Sequence, residues 1–422
     1  MQIVRIPHRC GLRIPFVALE GIFLAISILS YSKGNIRVLL SLYLLSFLPF
    51  ILALHFGSMG RLSARRIFLT GLIFRLTLLA SFPVFSDDVF RCLWEGKVQR
   101  NGINPYLVAP EDPEAIPYRD SYFARINHKA IPAIYPPVSQ LFFRVIVTLF
   151  YNLYFFKAML ILLEMATLLF LSLIFRKRGI PQNPLLIWAW HPLAIVEIAG
   201  SGHQDIIGIF FLVGCLCLRH YHRTRESALM LIGSFLSKIF PVILFPLLLR
   251  GRSKKPYLYL IGLTVLCYLP FTNGGLPFTG LSTYTRTWEA NSSLFYLLEW
   301  GVNDIQAAKL AGVQLFLILY LCSYCTVPDF EKASFIALGS FLIIAPTLHP
   351  WYLLWILPFL VLRPNRAWLY FTMAAPAFYH VLIDFFEKDL WQELLWIKIF
   401  VFIPFFVFLV ASETRRERTF NA

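Results

Sequence analysis

Apolar runs of about twenty residues recur along this chain, separated by short polar segments rich in Arg and Lys. A helix of that length crosses a hydrocarbon layer about 30 Å thick. The candidate spans are residues 14–32, 37–56, 67–85, 137–153, 157–175, 184–200, 205–222, 228–249, 257–271, 305–326, 333–349, 350–362, 366–386 and 394–412. Pro and Gly interrupt many of them, so roughly ten to thirteen crossings are expected. The pattern breaks at length between Ser86 and Pro136, a mostly polar stretch that follows the apolar run 67–85. Within it, residues 87–100 predict a short amphipathic helix with Phe90, Leu93, Trp94 and Val98 on one stripe and Arg91, Glu95 and Arg100 off it. Asn101-Gly102-Ile103-Asn104-Pro105-Tyr106 then stops it. A second interruption, residues 272–304, holds Tyr284, Trp288, Asn291 and Tyr296. The expected architecture is all-α, a single integral membrane domain over residues 1–422, with 86–136 and 272–304 as extracytoplasmic loops.

Composition agrees. The chain has 422 residues, 58% hydrophobic and 14% charged, with mean hydropathy +0.67. Soluble domains carry roughly a quarter charged residues. The run 14–32 is longer than a signal-peptide core and lacks a small-residue cleavage site, so it is expected to stay as a helix. A net charge of +15 could suggest nucleic acid. The basic residues instead sit in clusters between apolar runs, at 5–13, 61–66, 176–178, 219–225, 250–255 and 415–418. That is the positive-inside pattern. It places both termini in the cytoplasm and, counting inward, Asp87 outside at the plasma (inner) membrane. Two regions resist the count. Two crossings between 137 and 175 would leave Arg176-Lys177-Arg178 outside, and the single-span segment 228–249 has basic residues at both ends. A broken or re-entrant pair with Lys238 and Pro241 near its turn would reconcile the latter, and such backbone must line a cavity or be buried in protein. The cysteines read as small hydrophobes, Cys322-x-x-Cys325 included. No internal repeat is visible, which disfavours a transporter of two related halves.

Asp87 and Asp88 are the first candidates for chemistry. Adjacent carboxylates where water meets lipid could serve as a general base. They could equally serve the N-terminus of the following helix through its dipole, with Ser86 as N-cap. The block Ser86-Asp87-Asp88-Val89-Phe90-Arg91-Cys92-Leu93-Trp94-Glu95-Gly96-Lys97-Val98-Gln99-Arg100-Asn101-Gly102-Ile103-Asn104-Pro105-Tyr106 resembles the first outer loop of bacterial GT-C superfamily glycosyltransferases, the polyprenyl-phosphate-sugar-dependent enzymes that include α-mannosyltransferases. Tyr135-Pro136-Pro137, His191-Pro192 through Glu197, Gly200-Ser201-Gly202-His203-Gln204-Asp205, Lys238-Ile239-Phe240-Pro241 and His349-Pro350-Trp351-Tyr352 follow in the order that likeness expects. Cys92, Glu95 and Lys97 depart from the Tyr, Asp and Arg often found there.

The resemblance implies a many-helix bundle with a catalytic aspartate opening the first large outer loop. It also implies an isoprenoid donor lying in the bilayer, a glycan or glycolipid acceptor, and inversion at the anomeric carbon. Asp87 or Asp88 would take the acceptor's proton, while Lys238 and Arg91 would face the leaving phosphate. Lys238 could otherwise snorkel or pair with Glu164. Arg75, Arg144, Glu20, Glu164 and Glu197 are expected to pair structurally with one another. His203 and Asp205 could contact substrate, cap a helix, or join an aspartate around a divalent cation, although no cofactor is required. His349 and Tyr352 fit an aromatic belt or a sugar contact. The expected activity is transfer of a hexose, most simply mannose, to an extracytoplasmic acceptor of the cell envelope. A flippase for lipid-linked oligosaccharides would share the helices, and an O-acyltransferase would want a buried histidine such as His191 or His203.

Overall fold

The computed structural model describes residues 11–59 and 62–420. Among them the chain is helical, with no strand beyond a lone backbone bridge between Ala290 and Thr347. Four helices are long and apolar enough to cross a membrane: Ile36–Ser58, Leu153–Arg178, Ile305–Thr326 and Arg366–Lys388. Shorter apolar helices cover Pro137–Leu149, Pro256–Phe271 and Leu395–Ala411. Leu162, Leu258, Leu310 and Val407 are exposed on them, which is stable only against lipid. The chain is a polytopic helical membrane protein. Most of the basic cluster 5–13, Arg61 and the side chains of 415–418 lie outside the described residues.

The backbone groups into two compact units. The first comprises Met1–Phe85, Leu171–Gly200 and Leu348–Ala422. Its aromatic core sets Phe74 against Phe23 and Trp190, with centroids 5.3 and 5.2 Å apart. The buried ionisable groups here are met by polar partners. Arg75 donates to the carbonyls of Gly71 and Ala189 at 2.8 and 2.7 Å, and Glu197 accepts from the hydroxyls of Tyr43 and Tyr379, both at 2.9 Å. Glu20 accepts from Thr77 at 2.5 Å. His191 is buried, caps the turn at Leu193 and meets Thr372 at 3.1 Å. Those contacts give it a structural role in this unit.

The second unit comprises Ser86–Phe170 and Ser201–Thr347. Here the predicted outer helix exists as Asp88–Arg100. Its acidic first turn and its Lys97 and Arg100 in the last turn suit the helix dipole. Gly102, at φ +84°, turns the chain away in a conformation natural to glycine. The expected apolar stripe is buried, but so are Arg91, Glu95 and Gln99. The helix tolerates enclosure because Arg91 pairs with Glu95 and Gln99 donates to the Glu95 carbonyl and to Gln140. It packs on Pro137–Leu149 so closely that a Cβ on Gly96 would stand 2.5 Å from the Phe143 carbonyl oxygen.

The two topological conflicts have physical answers. Pro137–Leu149 has 13 residues, a rise of about 20 Å, short of a bilayer's hydrocarbon core. Only Leu153–Arg178 is then long enough to cross in that region, one crossing where the apolar runs suggested two. The segment 228–249 is broken as expected, into Thr224–Phe235, a turn holding Lys238, and the short Phe240–Ile243 and Leu244–Leu248. The expected mutual pairing of charges is not met at Glu20, which accepts from Thr77 rather than from a cation, nor at Arg144. Arg144 lies exposed on Pro137–Leu149 and forms no ion pair with a described residue.

Replacing Gly96 with Val should destabilise the second unit by about 1–3 kcal/mol, because the backbone of Phe143 cannot yield to an inserted side chain. Thermal melting of the purified protein in detergent should show the loss, with Gly96→Ala milder than Gly96→Val.

Candidate functional site

The site starts where regular helix stops. Asp87 occupies the N-cap position of Asp88–Arg100, yet its side chain makes no capping bond. Ser86, expected as the N-cap, lies one residue before it; its Oγ accepts from the Asp88 amide at 3.3 Å. Both acids are half-buried. Asp88 Oδ1 accepts from Asn127 Nδ2 at 2.8 Å, and its Oδ2 stands 3.9 Å from His203 Nδ1.

Gly202 makes that second approach possible. It has φ +78°, and a Cβ there would come within 2.8 Å of Val89 Cγ2. Only glycine combines that backbone with that proximity. The turn therefore lies directly on the first turn of Asp88–Arg100, and His203 is buried beside Asp88. Two residues on, Asp205 begins the helix Asp205–His220 and accepts from Lys238 Nζ at 2.7 Å. The Asp205 side chain is 1% exposed and that of Lys238 is 15% exposed. Lys238 also stands 5.7 Å from the centroid of Tyr135. Ser139 joins these segments by donating to Gln204 Oε1 at 2.8 Å and to the Ser237 carbonyl at 3.0 Å. Thus Asp88, His203, Asp205 and Lys238 sit at helix starts and in the turns between helices of one unit.

Arg91 points elsewhere. Its Nε donates to Glu95 Oε1 at 2.9 Å, its Nη1 to the His128 carbonyl at 3.0 Å, and its Nη2 to the Ile131 carbonyl. Gln140 donates to Glu95 Oε2 at 2.6 Å and accepts from Gln99 at 2.7 Å. Burial pushes the Glu95 carboxyl above its ordinary range, while the Arg91 charge and the Gln140 bond pull the other way. Burial likewise raises the Cys92 thiol, keeping it protonated and inert. Nearby, Asp120 feels burial first, but bonds from Lys97 and Tyr151 outweigh it and hold its carboxyl below the usual value.

His349 and Tyr352 belong to the first unit. His349 stacks on Trp351 at 4.3 Å with an interplanar angle of 4°, and meets Tyr352 edge-on at 5.4 Å. Trp351 continues the stack toward Tyr379.

Some contributors gave no signal in sequence. Asn127, Ser139 and Gln140 are ordinary polar residues far along the chain from their partners. Gln204 lay inside a quoted motif without a role, yet its Nε2 is a buried donor with no hydrogen-bond partner among the described residues. Lys157 was visible as the single cation near the start of a 26-residue apolar helix. It is fully buried, lies 5.8 Å from the Tyr154 centroid and packs against Gly202.

As for a divalent cation, no group of three or more His, Cys, Asp or Glu suited to a metal occurs among the described residues. The carboxylate of Asp205, one of the three proposed ligands, already accepts from an ammonium.

Residues 22–250, more than half of the chain, match the family described as alpha-(1->6)-mannopyranosyltransferase, N-terminal domain. The matched region contains Asp87, Asp88, Arg91, His203, Asp205 and Lys238; His349 and Tyr352 lie beyond it. No curated protein and no solved structure matches the chain.

Removing one member of the buried Lys238–Asp205 pair should cost about 3–5 kcal/mol, since a charge is left in a dry setting. Lys238→Met alone should therefore melt well below wild type, and Lys238→Met with Asp205→Leu should recover much of the loss. Equal melting of the single and double variants would show that the pair is not coupled.

Proposed function

The chain belongs to the alpha-(1->6)-mannopyranosyltransferase family, so it is a membrane glycosyltransferase, and from that premise we propose that it moves a mannosyl group from a polyprenyl-phosphate donor to a glycan or glycolipid acceptor outside the cytoplasm. The acceptor oxygen attacks the anomeric carbon and its proton passes to an aspartate. The bond from that carbon to the phosphate oxygen breaks, and polyprenyl phosphate departs with the electron pair. Inversion follows from this single displacement.

Asp88 is the preferred base. Asn127 donates to one of its oxygens at 2.8 Å and His203 stands 3.9 Å from the other, so the carboxylate is oriented while staying half-buried, as a general base for an acceptor hydroxyl requires. Asp87, one residue earlier at the N-cap position, is the alternative. Lys238 is the proposed phosphate contact, its ammonium held in place by Asp205. The buried Nε2 of Gln204 supports the same assignment, because a donor enclosed without an acceptor is costly unless a ligand supplies one. Arg91 takes a positioning role, since its guanidinium is spent on Glu95 and the carbonyls of the loop. His203 neighbours the base, and His349 and Tyr352 are left as candidate sugar contacts in their own unit. The 86–136 and 272–304 segments are read as extracytoplasmic loops of one plasma-membrane protein.

The observation that carries this reading is the half-buried aspartate and the lysine–aspartate pair meeting on the two sides of one short turn, Ser201 to Asp205. The decisive experiment supplies labelled polyprenyl-phosphate mannose and an acceptor to membranes containing each variant. Asp88→Asn should lower transfer by about 10²–10⁴-fold, with Asp87→Asn less affected. Full transfer by both variants would remove the catalytic assignment. Uptake of intact lipid-linked sugar without free polyprenyl phosphate would indicate a flippase.

A further inference from the structure

Beside this site stands an aromatic cluster that the reaction as described does not use. We propose that Trp288, with Tyr284 and His128, forms the seat for the acceptor saccharide and holds a pyranose ring next to Asp88. Trp288 closes the helix Thr279–Thr287, and Tyr284 lies one turn earlier with its ring centroid 5.3 Å away. His128 meets the Trp288 ring edge-on at 4.4 Å. The residue before it, Asn127, donates to Asp88. The seat thus adjoins the base through two consecutive residues.

The cluster is built, not incidental. A Cβ on Gly280 would collide with the carbonyl oxygens of Pro132 and Ala133, so glycine lets the helix lie directly on the loop that carries His128. Thr347 donates to the Trp288 carbonyl at 3.0 Å, and Lys309 donates to the Arg286 carbonyl at 2.8 Å. From the other side, the His128 carbonyl accepts from Arg91 and from the Ile131 amide, both at 3.0 Å. His128 itself has φ +45°, a backbone uncommon outside glycine. Trp288 and Tyr284 remain half-exposed. Belt aromatics sit at the headgroup level; these rings contact one another, and the segment that carries His128 also reaches Asp88 through Asn127. A sugar offers an apolar C–H face rimmed by hydroxyls. Rigid rings with polar edges match it and lose little conformational entropy on binding.

The identification of the saccharide as the acceptor rests on the transferase reading; its recognition does not. The full-length protein in nanodiscs, without donor, is titrated with a short α-mannooligosaccharide and followed by saturation-transfer NMR. Trp288→Ala should weaken binding about tenfold or more, Tyr284→Ala should weaken it less, and Trp288→Phe, which keeps a ring and the fold, should stay near wild type. In the transfer assay Trp288→Ala should raise the acceptor KM and leave the donor KM unchanged. Unaltered binding by Trp288→Ala, or no binding by the wild-type protein at millimolar saccharide, would overturn the seat. Saccharide binding that depends on Trp288, without transfer from any lipid-phosphate donor, would uphold the seat and count against the donor assignment alone.

Discussion

One buried guanidinium holds the second unit's 86–136 segment in shape. Arg91 is 8% exposed, and taking such a charge out of water costs several kcal/mol unless its donors are met. Glu95 meets one of them from the same helix, and the carbonyls of His128 and Ile131 meet others from a segment almost forty positions later. The arrangement cannot relax locally, because releasing the loop would strand the charge. Asn127 and His128 are therefore fixed against Asp88–Arg100, and with them the partners of Asp88 and of Trp288. Glu95 is fixed in turn by Gln140, and Gln140 by Gln99, so the ladder also ties the helix to Pro137–Leu149.

The membrane explains why the remaining site segments look as they do. Helices satisfy their own backbone in lipid; a turn cannot. Ser201 to Gln204 and Leu236 to Ile239 are turns within mostly apolar sequence, so each must find partners in protein. The Val138 amide donates to the Leu236 carbonyl at 2.9 Å, and Ser139 bonds both turns. Glycine serves the same end by removing bulk where backbones must touch, at Gly96 and at Gly202. The irregular backbone is thus enclosed by protein, and it is this backbone that places His203 and Lys238.

Much of this was legible from the amino-acid order. Apolar periodicity announced an all-α membrane protein, the Ser86–Pro136 interruption announced the segment that holds Asp88, and Pro241 beside Lys238 announced a break in its span. The limits came from partnership over distance. Arg91 looked like a cation for phosphate because nothing local reveals that carbonyls near residue 130 return to it. Glu95 looked like a mild departure from its relatives, whereas it is the carboxylate that accepts from Arg91. The stripe of Phe90, Leu93, Trp94 and Val98 predicted one buried face; the second buried face is polar, and a periodicity of hydrophobic residues cannot register it. Trp288 was visible as an aromatic in an outer loop, but only Gly280 against Pro132 and Ala133 shows why its ring meets His128.

Pairing also bears on how a lysine can wait in an apolar setting for an anion. An uncompensated ammonium there would cost about 2.5–3.5 kcal/mol on insertion scales, and its side chain would be driven toward water. Asp205 lifts that cost before any ligand arrives and fixes the ammonium 2.7 Å from a known oxygen. A phosphate approaching Lys238 then meets a charge already oriented, though one whose attraction is partly spent. Net attraction must come from additional donors, and Gln204 is adjacent to Asp205 with a buried Nε2 to offer. The turn between Ser201 and Asp205 therefore reaches both groups, since one end of it sets His203 beside Asp88 and the other sets Asp205 against Lys238.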